Sequence, residues 1–74
     1  MTSAREIARA EDRMREGAML TTGDIAALFS VDVKTANRWG RTGRIPALRT
    51  PGGHIRFRPE VIAEIIATPV KEND

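Results

Sequence analysis

Hydrophobic positions follow a helical period at both ends of the chain and a strand alternation between them. Ile25, Leu28 and Phe29 fall at i, i+3 and i+4, the spacing of one face of a short helix. Thr21 stands ahead of them as a cap, and Asp24 three residues on can complete a capping box. Ser30-Val31 ends this run. Asp32 is a second N-cap, with its carboxylate at the positive end of the next helix. That helix is predicted over 33–42, VKTANRWGRT, and Gly43 closes it as a left-handed C-cap.

Further on the period changes. Residues 47–50 and 54–58 read as two strands around Pro51-Gly52-Gly53, a strong turn signal. On the second strand Ile55 and Phe57 share one face, and His54, Arg56 and Arg58 share the other. Pro59 suits the first position of another helix, whose apolar stripe is Val61, Ile62, Ile65 and Ile66. Pro69 stops it. Upstream, residues 4–16 are good helix formers, with a thin stripe of Ile7, Ala10 and Met14 and a Glu11–Arg15 pair at i,i+4; Gly17 ends this marginal helix.

The expected fold class is mostly α with a small β-hairpin: two helices joined by a tight turn, a hairpin wing and a closing helix, which is a winged helix-turn-helix with an extra N-terminal helix. The chain divides into an N-terminal extension, 1–19, the winged domain, 20–68, and a flexible acidic tail, 69–74. A chain of 74 residues buries only ~60% of its unfolded surface, which leaves one thin core and no room for a deep catalytic pocket. There is no cysteine, and His54 is the only histidine, so neither disulfides, thiolate chemistry nor a histidine-rich metal site is expected. No stretch approaches the ~20 apolar residues of a membrane span, and there is no hydrophobic signal core. These features predict a cytoplasmic protein that is not an enzyme, needs no cofactor and makes no use of a membrane.

Charge sharpens this picture. The formal net charge is only +2. Residues 1–20 balance to zero, however, and residues 59–74 carry −3. Between them, Lys34 and Arg38, Arg41, Arg44, Arg49, Arg56 and Arg58 against Asp24 and Asp32 give +5. Such a block between a neutral head and an acidic tail points to a polyanion as its partner. Ten Arg against two Lys favours phosphate and guanine contacts, or simply follows from a GC-rich genome; the second explanation does not cover the clustering.

The chemistry concentrates on helix 33–42 and on the wing. At about 100° per residue, Ala36 and Trp39 point to one side, while Lys34, Asn37, Arg38 and Arg41 occupy an arc on the other. The first side suits packing, with Trp39 as the core anchor. The second side has no acid, and Arg and Asn are the usual readers of guanine and adenine. Thr35, in the first turn, either donates to a phosphate or satisfies the helix end. On the wing, Arg49, Thr50, His54, Arg56 and Arg58 surround Gly52 and Gly53, whose missing side chains allow a close approach to phosphate or minor groove. The three aromatics, Phe29, Trp39 and Phe57, fall at expected core positions, which leaves no platform for stacking single-stranded bases.

The segments TTGDIAALFSVDVKTANRWGRTGRI and RTPGGHIRF together resemble the DNA-binding domain of the MerR superfamily, above all its small excisionase-like and BldC-like members. The resemblance covers about residues 20–66. It implies that 33–42 enters the major groove and that the 47–58 hairpin grips the flanking backbone or minor groove. Residue by residue it supports Lys34, Thr35, Asn37, Arg38 and Arg41 on the helix and Arg49, Gly52, Gly53, His54 and Arg56 on the wing. Ile55 stands where relatives often carry another basic residue, and Val33 where proline is common. Full MerR regulators continue into a dimerisation helix and an effector domain; here the chain stops soon after Pro69, and no heptads are present. The expectation is therefore double-stranded DNA as partner, no small-molecule effector, and copies of the chain side by side on repeated sites. A bacterial transcription regulator, an excisionase-type recombination directionality factor and, from another class, a protein-interaction module or antitoxin all remain open.

Overall fold

The computed structural model describes residues 3–68, so the expected loose tail, 69–74, lies outside the described residues. Helices α1 (Ala4–Glu16), α2 (Thr22–Phe29) and α3 (Val33–Thr42) precede strands β1 (Leu48–Arg49) and β2 (Ile55–Arg56), and α4 (Pro59–Ala67) closes the order. This is a winged helix-turn-helix with a helix added in front.

The α2–α3 unit forms as its caps predict, with one exception. Thr21 Oγ1 accepts from the Asp24 amide at 3.1 Å, and the Thr21 amide donates back to Asp24 Oδ2 at 2.9 Å. The turn after α2 is made by Ser30, which adopts a left-handed conformation although it is not glycine. Asp32 is the N-cap residue of α3 by backbone geometry, but its side chain makes no capping hydrogen bond. Gly43 closes α3 in the left-handed conformation.

The N-terminal helix is better defined than its thin apolar stripe predicts. A capping box joins Ser3 and Glu6, and Gly17 ends the helix with bonds back to the Arg13 and Met14 carbonyls. Ala10 is wholly buried against the rest of the fold. Arg13 reaches across to donate to Asp24 Oδ1, so both carboxylate oxygens of this buried aspartate are occupied, one by the cap of α2 and one by α1. That double use explains how a carboxylate comes to be buried in so small a core.

A second tie runs through the backbone. Leu20, in the link between α1 and α2, exchanges two 2.8 Å hydrogen bonds with Phe57 just past β2, forming an antiparallel bridge. The head of the helix-turn-helix is thereby joined to the wing. Leu20, Ile25, Phe57 and Ile62 are the largest fully buried side chains. Each contributes roughly 1.5–3 kcal/mol by burial.

The strands are shorter than the predicted 47–50 and 54–58. Leu48 pairs with Arg56 and Arg49 with Ile55, and beyond these pairs the turn takes over. There the Thr50 amide donates to the His54 carbonyl and the Gly53 amide to the Thr50 carbonyl, both at 2.8 Å. In α4 only Ile62 of the predicted stripe is fully buried; Ile65 and Ile66 stand out into solvent. In a chain of 74 residues the core is small, and it runs out before the helix does. Trp39 is likewise not the central anchor. It is half-buried at the edge of the core, with its ring T-shaped against Phe29 at 6.0 Å, and Phe57 holds the centre instead.

Candidate nucleic-acid interface

Helix α3 buries Ala36 and turns Lys34, Arg38 and Arg41 into solvent, as its periodicity predicts. Asn37 is half-buried, and its Oδ1 accepts from Arg41 Nε at 2.9 Å, which fixes the direction of the amide one turn down the helix. Thr35 is half-buried in the first turn. The packing side has a member that residue types alone did not suggest. At Gly40, a Cβ would lie 2.9 Å from Ile55 Cγ2 and 3.0 Å from Phe57 Cζ. Glycine in a helix interior costs about 1 kcal/mol relative to alanine; here it lets α3 lie directly on the second strand of the wing.

On the wing, Arg49, Gly52, Gly53, His54 and Arg58 are exposed, while Thr50 and Arg56 are half-buried. Thr50 also accepts from the His54 amide at 3.2 Å, so it shapes the turn. Gly53 holds φ +86°, a conformation that explains the second glycine of the pair. Arg56 donates one N–H to the Ile55 carbonyl at 2.9 Å, which leaves the rest of the guanidinium fork available. Cross-strand partners share a face, so Arg49 lies on the side of Ile55 and Arg56 on the other. The wing thus presents cations on both faces, not on the single face that strand alternation suggests.

Electrostatically this surface is one-sided. Among the described residues, the ion pairs are Arg13–Asp24 and Arg15–Asp12. Every Lys and Arg from Lys34 to Arg58 is without an acidic partner among those residues. Arg44, counted in the basic block but not among the expected contact residues, is also exposed, at the rim of a shallow apolar hollow formed with Phe29, Trp39 and Ile45. Its signal was the charge itself, just past the end of α3.

Elsewhere the surface offers less. An open groove of about 640 Å³ runs between α1 and the α2–α3 turn, where Glu6, Arg9, Arg13, Asp24 and Asp32 mix both signs of charge. The described residues hold no cluster of three or more His, Asp or Glu side chains placed for a metal ion. They also include no helix long and apolar enough to cross a membrane.

Comparison with curated proteins finds no match. Residues 19–68, well over half of the chain, match the family described as the helix-turn-helix domain. They take in α2, α3, the wing and α4, and so include every unpaired cation from Lys34 to Arg58. With this match and this geometry, the chain belongs to the helix-turn-helix domain family and has a DNA-binding fold.

Proposed function

We propose that the chain is a sequence-specific double-stranded DNA-binding protein of bacterial type, a cytoplasmic regulator of transcription. In this reading α3 enters the major groove, where Lys34, Arg38 and Arg41 meet bases and phosphates and Asn37 reads a base edge. The hairpin, through Arg49, Arg56, Arg58 and the backbone of Gly52-Gly53, holds the flanking backbone or the minor groove. The observation that carries the reading is the unbroken run of cations on α3 and the wing with no acidic partner among the described residues. A solvated surface usually mixes both signs; an interface for a polyanion does not.

A unit this small covers a short half-site, which limits its affinity. Copies set side by side on repeated sites would extend the contact, the acidic end of one beside the basic middle of the next.

The deciding experiment is retention of genomic fragments at two salt concentrations, followed by footprinting. The expected result is protection of regularly spaced repeats that weakens steeply as salt rises. Absence of retention even at low salt would overturn the reading and favour a protein-interaction module. Strong bending of the bound DNA, with an integrase gene adjacent, would point to recombination instead of transcription.

A further inference from the structure

Val33 is the first residue of α3 and is 55% exposed, more than Met19, Leu48, Ile65 or Ile66. A single exposed valine is ordinary on a protein surface; what matters is where this one stands. It belongs to no core cluster. It begins a row at i, i+4 and i+8 that continues through Asn37 and Arg41, the two residues joined by the 2.9 Å hydrogen bond. The row therefore runs isopropyl, amide, guanidinium along the margin of the cationic face. Asp32, immediately before it, is exposed and makes no capping hydrogen bond, so this tip of the helix carries an anion that disfavours contact with phosphate.

In the major groove the distinctive apolar feature of a base pair is the C5-methyl group of thymine. The first residues of a reading helix lie nearest the bases. We infer that Val33 is a specificity-determining residue that packs on a thymine methyl at one edge of the α3 site. The inference rests on the DNA-binding reading above. It adds a base identity to that reading: thymine is preferred at that position because of its methyl group, not its hydrogen-bonding edge. Val33 also borders the groove beside α1, and a purely structural role there would leave base preference untouched.

The test uses the footprinted site. Each thymine is replaced in turn by deoxyuridine, which removes one methyl and keeps the base pair. Affinity is then measured for the intact chain and for its Val33→Ala variant. The expected result is one thymine whose replacement weakens the intact chain roughly fourfold, the value of one buried methyl-sized group. Val33→Ala, which keeps only its Cβ, should respond to that replacement clearly less than the intact chain. Equal uracil effects in both proteins, no uracil effect at all, or an α3 footprint without thymine overturns the inference while leaving DNA binding intact. Failure of both proteins to bind DNA overturns the DNA-binding reading and this inference with it.

Discussion

Gly40 decides how near α3 lies to the wing. A methyl group added there meets Ile55 and Phe57, both buried and hemmed in by the core. Helix propensity alone would make Gly40→Ala stabilising by about 1 kcal/mol. Overpacking a core contact costs typically 1–3 kcal/mol, and we expect it to win, with a net loss of about 1 kcal/mol or more. Chemical denaturation checks the sign: a raised midpoint would mean that the helix and strand separate easily. Residues of this kind were the hardest to read in the sequence. Arg38 and Arg56 announce themselves by charge, whereas Gly40 and the Arg13–Asp24 pair act through neighbours 11 or more positions away, which no local pattern encodes.

At the scale of elements, the caps distinguish two helix starts that look alike in sequence. Thr21 and Asp24 exchange hydrogen bonds, and Arg13 uses the remaining carboxylate oxygen. Asp32 occupies the same position before α3 without a capping bond. Thr21→Ala is therefore expected to lower stability by about 1 kcal/mol, and Asp32→Ala by clearly less, since only its interaction with the helix dipole is lost. Thermal denaturation of the two variants side by side makes the comparison; equal losses would assign Asp32 a capping role in solution. Helices α2, α3 and α4 and the hairpin were legible because periodicity and turn or cap residues mark those segments, whereas α1, with its thin stripe, read only as a marginal helix and its Ser3–Glu6 capping box went unread. Strand lengths and the depth of Trp39 and Ile65 were not, because they depend on how far a small core extends, and that is settled only when all the elements meet.

For the whole molecule, the division of labour between helix and wing becomes measurable on DNA. Arg38→Ala is expected to cost ~1–3 kcal/mol and to relax preference at one base position. Arg56→Ala is expected to weaken binding to all sequences evenly and to reduce the salt slope by ~1. Binding isotherms over a salt series, on matched and mismatched sites, separate the two; an unchanged slope in Arg56→Ala removes that residue from the backbone contacts.

The close approach at Gly40, together with the Leu20–Phe57 bridge, has a bearing on the DNA itself. Helix and wing are not two hands on a flexible arm but two marks on one short ruler. If α3 and the hairpin bind as proposed, a base pair inserted between the stretches beneath them meets two elements held together by the Gly40 contact and the Leu20–Phe57 bridge. The duplex has to take up the mismatch by twisting, or one of the two contacts is lost.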